Sequence, residues 1–301
     1  MQEAFGRERM TGTTTISEAE RERIAAALAE IACAAGVILQ GYHRGPCPNA
    51  LKADGSPWSA ADVEAENLII AALAERFPGI AVIAEERAQG AEPAARKAEH
   101  FFLVDPLDGT RDFLAGTPDY SVNIALVAGD RPVAAALAAP GLGRVWWAGA
   151  AASEAAIVAG RPEAGRPVHA RPAPEAGLVA LGSRRHGDPE TDACLAALPV
   201  RETRQVGSAL KFGLIAAGEA DIYVRCGPTM EWDTAAGDHI VAAAGGCVVV
   251  PGGGPIRYGQ HGPDHRNGPF AALGDPALAP RLARPFSRGR GAEVGLSAAH
   301  P

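Results

Sequence analysis

The stretch Phe101-Phe102-Leu103-Val104-Asp105-Pro106-Leu107-Asp108-Gly109-Thr110 decides how the rest of the chain is read. Its four leading apolar residues are too few, and too abruptly ended, for a helix. They predict a buried strand that delivers Asp105 to its carboxyl end, where α/β sheets bind ligands. Pro106 lacks an N–H and has a fixed φ, so it is expected to stop the ladder and free Asp105, the Leu107 carbonyl and Asp108 to converge. Oxygen donors at this spacing suit a hard cation. Mg²⁺ accepts carboxylate and carbonyl oxygens and keeps waters that a phosphate oxygen can replace. Gly109 and Thr110 add backbone N–H groups at the expected start of a short helical turn, an anion site. An Asx turn explains Asp-Gly by itself, but not two acids, a proline and a hydroxyl in this order.

On the N-terminal side of this strand, residues 80–83 predict a second apolar strand, ended by Glu85-Glu86. Adjacent acids on an extended segment face opposite ways, so only one of the two need point into a site. A helix is expected from Ser59 to the stop signal Pro78-Gly79, with Val63, Leu68, Ile69, Ala72 and Leu73 buried and Asp62 in its first turn. Residues 51–58 fit a short strand or hairpin. Before them, Ser17 and Glu20 form a capping box opening a long amphipathic helix that reaches about Gln40.

On the C-terminal side, strands are expected at 121–127 and 132–139, around the turn Gly129-Asp130, and at 145–148. A Pro- and Arg-rich link, 161–174, leads to a strand at 178–181, helices near 189–198 and 208–217, and a strand at 220–224. A helix at 233–244 and a strand at 247–250 are expected to complete the fold. The division implied is a disordered 1–15, an α+β half at 16–160 with the acids, a second α/β half at 161–283, and a basic tail at 284–301.

Composition limits the function classes. Hydrophobic residues are 47% and charged residues 21% of 301, as in soluble globular proteins, and the formal charge of −7 argues against a nucleic-acid backbone as partner. A small phosphorylated ligand stays open, because bound cations invert the local field. No apolar run is expected to approach a membrane span, and the polar N-terminus lacks a signal-peptide core, which predicts a cytoplasmic protein. Cys33, Cys47, Cys194, Cys226 and Cys247 are odd in number and widely spaced. They read as buried small hydrophobes rather than a disulfide framework or a zinc site.

Asp62, Glu85-Glu86, Asp105 with Asp108, and Asp233 each stand at the edge of an apolar element. Any one could cap a helix; together they read as a multinuclear Mg²⁺ site. At this point the sequence resembles the inositol monophosphatase superfamily of Mg²⁺-dependent, lithium-sensitive phosphatases. Asp105-Pro-Leu-Asp-Gly-Thr110 matches its D-P-[LI]-D-G-T signature, and the run from Trp232-Asp233-Thr-Ala-Ala to Gly245-Gly246 matches its second. Four further segments make the chain look most like the bacterial 3'(2'),5'-bisphosphate nucleotidases of sulfur metabolism. These are Lys52 to Pro57, Gly182-Ser-Arg-Arg-His186, Gly207-Ser-Ala-Leu-Lys211 and Arg225-Cys-Gly-Pro-Thr229.

The resemblance implies the fold and the roles. The fold would be α/β (α+β), a layered αβαβα sandwich of the inositol monophosphatase and fructose-1,6-bisphosphatase type. Glu85, Asp105 and the Leu107 carbonyl would hold one Mg²⁺, and Asp105, Asp108 and Asp233 a second. A weaker third would sit by Glu85. Asp62 and the Thr110 hydroxyl would position and deprotonate the attacking water. Gly109, Thr110, Ser183, His186, Ser208, Lys211, Arg225 and Asp233 would contact a phosphorylated nucleotide, with Glu86, Lys52 and Trp232 behind them. Lys211 is read as a snorkelling side chain or an anion contact, and Arg184 and Arg185 as exposed or as steering a doubly phosphorylated anion. An inositol or other sugar phosphate substrate, and an inactive metal-binding regulator, are the rival functions. Monomer and homodimer are both open, as is peripheral attachment to the inner membrane.

Overall fold

The computed structural model describes residues 16–282, apart from 53, 54, 56, 91–97, 185, 186 and 260–263, with backbone only at 89 and 90. The readings of 1–15 and of the 284–301 tail, and the roles of Arg185 and His186, fall outside these residues.

The first helix, α1 (Glu18–His43), begins where the Ser17 hydroxyl accepts the Glu20 N–H. Its buried face carries Ile24, Leu28, Ile31 and Leu39 between alanines and Gly36, where a Cβ would stand 2.7 Å from the Pro140 ring. By length and composition α1 could cross a membrane, contrary to the expectation that no apolar run comes close. Here 56% of its apolar window is buried inside the protein, and it packs on the first sheet as a core helix.

A hairpin of β1 (Asn49–Leu51) and β2 (Pro57–Ser59) leads into α2 (Ala60–Arg76). The buried positions of α2 are Ala61, Asp62, Ala65, Glu66, Ile69 and Leu73, while Val63, Leu68 and Ala72 are only half-buried. The helix is thus rotated from the expected face so that two acids turn inward. Next come β3 (Ala81–Ala84), β4 (His100–Asp108), the short α3 (Thr110–Leu114), β5 (Ser121–Ala128), β6 (Arg131–Ala139), β7 (Arg144–Ala148) and β8 (Ala152–Val158). With β9 (Arg161–Pro162) and β10 (Arg166–Pro167) they form a sheet ordered β10-β8-β7-β6-β5-β4-β3, in which β9 pairs with β8. Residues 161–167, placed in the second half by composition, therefore hydrogen-bond to the edge of the first sheet.

The second half contains β11 (Leu178–Ser183), α4 (Pro189–Ala196), β12 (Val200–Val206), α5 (Leu210–Ala216), β13 (Ile222–Arg225), β14 (Thr229–Met230), α6 (Glu231–Ala243), β15 (Cys247–Val249), β16 (Arg266–Asn267) and β17 (Phe270–Leu273). Its main sheet is ordered β12-β11-β13-β17-β15. Alternation along β5 fixes the layers: Val122, Ile124 and Leu126 pack beneath α1 and α2, while Ala125 and Val127 face α5 and α6. The second sheet covers the other side of α5 and α6 through Val179, Leu181, Tyr223 and Phe270. Its outer face buries Leu178, Ile222 and Val224 against Cys194 of α4 and Leu278. The result is the expected αβαβα sandwich.

Among the described residues, the longer strands β8, β12 and β17 escaped the sequence reading, as did the two-residue strands β9, β10, β14 and β16. Residues 201–205 of β12 are all exposed, so this edge strand has no apolar alternation to reveal it. Of the cysteines, Cys33 and Cys194 are buried as expected, but Cys47, Cys226 and Cys247 are half-exposed; all five are free thiols.

Candidate active site

Pro106 does not end β4. Asp105 pairs with Asn123 and Asp108 with Ser121, so Pro106 and Leu107 stand against the single residue Val122. This is a bulge: the proline that cannot donate to the ladder is set aside, and pairing resumes one residue out of step. The bulge turns the Leu107 N–H back onto Asp105 Oδ1 at 3.0 Å. Gly109 then adopts φ +89°, and a Cβ there would lie 2.9 Å from the Asp119 carbonyl, so the turn into α3 requires glycine.

Two other acids reach the site by one shared device. Asp62 and Asp233 are each the third residue of a helix, and each uses Oδ2 to accept the N–H of the residue before the helix. The distances are 2.9 Å from Ser59 and 2.7 Å from Met230. Ser59 Oγ also donates to Asp62 Oδ2. This half of a capping box fixes the carboxylate plane and leaves Oδ1 for other work. Asp62 Oδ1 accepts from Thr110 Oγ1 at 3.2 Å, and the same hydroxyl lies 3.0 Å from the Leu107 carbonyl. Asp233 is thus not the opening residue of α6, which begins two positions earlier at Glu231.

These groups surround a cleft of ≈ 330 Å³ lined by Glu85, Asp105, Leu107, Asp108, Gly109, Thr110 and Asp233 from the acid set. Ser183, Arg184, Ser208, Lys211, Arg225 and Trp232 line the same cleft. Asp62, buried and outside the lining, reaches it through Thr110. Burial, then the charges of Glu85, Asp108, Asp233 and Asp62, drives the Asp105 carboxyl well above the usual carboxylate range. Asp233 is raised by burial and then by Asp108. Burial raises Asp108 too, opposed by Lys211 and by the Ala209 N–H that it accepts. Asp62 is pushed up to about 7, mainly by burial, against the Ser59 hydrogen bonds that pull it down.

Glu85 and Glu86 do not lie on an extended segment. They open a 3₁₀ turn, Glu85–Gly90, so alternation cannot decide between them. Lys52 Nζ bridges the pair, at 3.0 Å from Glu85 and 2.6 Å from Glu86, and the Glu86 N–H donates to buried Glu66. Only Glu85 of the two lines the cleft.

Lys211 does not snorkel: it is 3% exposed, and its Nζ donates to the Val206 and Ser208 carbonyls above the Tyr223 ring. Burial lowers its pKa to about 8. Arg184 is exposed, as expected, and also donates to Asp119 Oδ2 at 2.6 Å, while the Gly207 N–H donates to the same oxygen. Arg225 holds the carbonyls of Gly227 and Pro228 and reaches Ser183 Oγ at 3.3 Å. Asp119 and Tyr223 were missed in the sequence; Asp119 has no motif around it, and its role depends on partners 65 and 88 residues away.

The inositol monophosphatase family pattern matches residues 20–288. The chain belongs to the inositol monophosphatase family. Two members similar to it are named 3'(2'),5'-bisphosphate nucleotidase CysQ. That of Escherichia coli (strain K12) is 37% identical over 75% of this chain and 89% of its own length. That of Salmonella typhimurium (strain LT2) is 38% identical over 71% of this chain and 85% of its own. Among solved structures, CysQ from Bacteroides thetaiotaomicron superposes with a TM-score of 0.70 at 31% identity, covering 83% of this chain and 97% of that one. Membership in this family implies divalent-metal dependence. The cleft fits it: the donors are carboxylate and carbonyl oxygens, suited to a hard cation, and the neighbouring acids raise one another's pKa as groups awaiting positive charge do.

Proposed function

We propose that this chain is a Mg²⁺-dependent 3'(2'),5'-bisphosphate nucleotidase that removes the 3'-phosphate of adenosine 3',5'-bisphosphate, giving AMP and phosphate. The observation that carries the reading is one cleft lined both by the acid set and by Arg184, Lys211 and Arg225. Cleavage of a doubly phosphorylated nucleotide needs both kinds of group, and the relatives named above carry this activity in their names.

Glu85, Asp105 and the Leu107 carbonyl would hold one ion, and Asp105, Asp108 and Asp233 a second, with a third weaker position beside Glu85. When bound, Mg²⁺ neutralises phosphate charge and acidifies water. The chain's own part is positioning and proton transfer, since phosphoryl transfer asks for little covalent chemistry from the protein. Thr110 Oγ1 faces the cleft with Asp62 Oδ1 behind it, a relay from the attacking water to a buried carboxylate. The water oxygen bonds to phosphorus, its proton passes through Thr110 to Asp62, and the P–O3' bond breaks with its electron pair on the ribose oxygen. That oxygen takes a proton from water. Asp62, fully buried and joined to Thr110 by a hydrogen bond, is the chain's own proton acceptor in this step. The N-terminus of α6 adds its dipole toward anionic phosphate near Asp233.

Phosphate release from adenosine 3',5'-bisphosphate and from inositol 1-phosphate, each with Mg²⁺ and with chelator, tests the reading. Mg²⁺-dependent release with the nucleotide preferred is expected. Preference for inositol 1-phosphate would overturn the substrate, and absence of release from both would overturn the enzyme.

A further inference from the structure

Asn123 is 1% exposed, yet neither its Oδ1 nor its Nδ2 has a partner among the described residues. The Oγ of fully buried Ser121, two residues earlier, likewise has no partner among the described residues. Both residues alternate with Val122 and Ile124, which pack beneath α1 and α2, so they project to the opposite face, under α5 and α6. Their register partners on β4 are the site acids: Asn123 opposes Asp105, and Ser121 opposes Asp108. Directly paired residues share a face, with Cβ atoms roughly 4.5–5.5 Å apart. Neither residue lines the cleft, so neither can touch substrate.

A buried strand position between apolar neighbours is better filled by a β-branched hydrophobe than by an amide. An unpaired buried amide is also destabilising, and a native fold that keeps one calls for an explanation. We propose that Asn123 is a positioning residue for the metal-binding carboxylates, its Nδ2 steadying Asp105 through an enclosed water while Ser121 completes the polar floor beneath Asp108. Groups behind a ligand fix its orientation, and their loss weakens metal binding without removing a ligand. The proposal rests on the metal reading above, and its test separates the two.

The test is thermal melting of the full chain titrated with Mg²⁺, run beside the Mg²⁺ dependence of phosphate release, for wild type, Asn123→Leu and Asn123→Ser. Asn123→Leu removes the orphan polar atoms at nearly the same volume. Its metal-free melting temperature is expected to equal or exceed that of wild type. Its half-saturating Mg²⁺ rises about 10-fold in both readouts. The nucleotide KM at saturating Mg²⁺ stays unchanged. Asn123→Ser, which keeps a shorter polar group, falls between. Unchanged half-saturating Mg²⁺ in either variant, with whatever loss of melting temperature, would overturn the positioning role. A wild-type melting temperature indifferent to Mg²⁺ would overturn the metal reading itself, and this proposal with it.

Discussion

At the scale of single residues, the site is made of acids whose local hydrogen bonds leave one oxygen uncommitted. Asp62 and Asp233 each spend Oδ2 on a helix start, and Asp105 spends Oδ1 on the Leu107 N–H. Asp105 is heavily opposed, raised by burial and by four neighbouring carboxylates. Asp105→Asn removes a charge that two ions would share, and turnover should fall by about three orders of magnitude, the scale of losing a preorganised group. The metal-free protein should become more stable, because a repulsive centre is gone. Near-normal phosphate release by the variant would remove Asp105 from the ligand set. Thr110 and Asp62 act through one hydrogen bond, so Thr110→Ala and Asp62→Asn should each cost roughly 10²- to 10⁴-fold and the double variant little more. Losses that multiply would show two independent roles. Arg184 becomes the cation to test for the phosphate that is not cleaved, since the Lys211 ammonium is held by two loop carbonyls. Arg184→Ala should weaken nucleotide hydrolysis by about tenfold, from a lost charge-assisted bond, and affect inositol 1-phosphate far less. Equal loss on both substrates would tie Arg184 to the fold through Asp119 instead.

At the scale of elements, the site depends on turns that break regular structure at set places. The β4 bulge aims Asp105 and Asp108 together, and Gly109 then turns the chain left-handed into α3. Gly109→Ala should cost about 2 kcal/mol or more, from strain at positive φ plus contact with the Asp119 carbonyl. It should also lower turnover by displacing Thr110. A variant that melts and works like wild type would mean the loop relaxes freely. These elements differ in how far the sequence disclosed them. The long helix, the β5–β6 hairpin and the strand at 101–104 were legible, because local periodicity and caps specify them. The bulge was not, since Pro106 reads equally as a strand end. The turn at Glu85 was not, because two adjacent acids carry no period. The exposed β12 carries no apolar alternation, and the rotation of α2 is decided by Asp62 and Glu66 finding partners in Thr110 and the Glu86 N–H, on other elements. The acids themselves were legible as residues; their orientation lives in hydrogen bonds between segments far apart in sequence.

At the scale of the whole molecule, α6 lies between the two sheets and its packing reaches both. It carries Asp233 at one end and His239 further along, where His239 Nε2 meets the Gly149 carbonyl at 2.8 Å. That contact requires a proton on Nε2, which the neutral Nε2–H tautomer and the imidazolium both carry. Burial lowers the His239 pKa from 6.5 to about 4, helped by Arg21 and Arg131 and opposed by the Gly149 hydrogen bond and Glu22. The sign follows: between those values the unfolded chain binds a proton that the folded chain refuses, so stability is full above pH 6.5 and lost as pH falls toward 4. The loss from this one group is at most about 3 kcal/mol. The crowded site acids work in the opposite sense, since their raised pKa values favour the protonated, metal-free fold as pH falls. The two contributions separate by difference. His239→Gln keeps an amide donor for Gly149 but cannot titrate, so the gap in unfolding free energy between wild type and variant should shift in the variant's favour as pH drops from 7 to 4. The site acids, common to both proteins, cancel. Denaturant unfolding at steps across that range, with Mg²⁺ held constant, measures the gap. A gap that stays flat with pH would mean that His239 is as free to charge in the folded protein as in the unfolded chain.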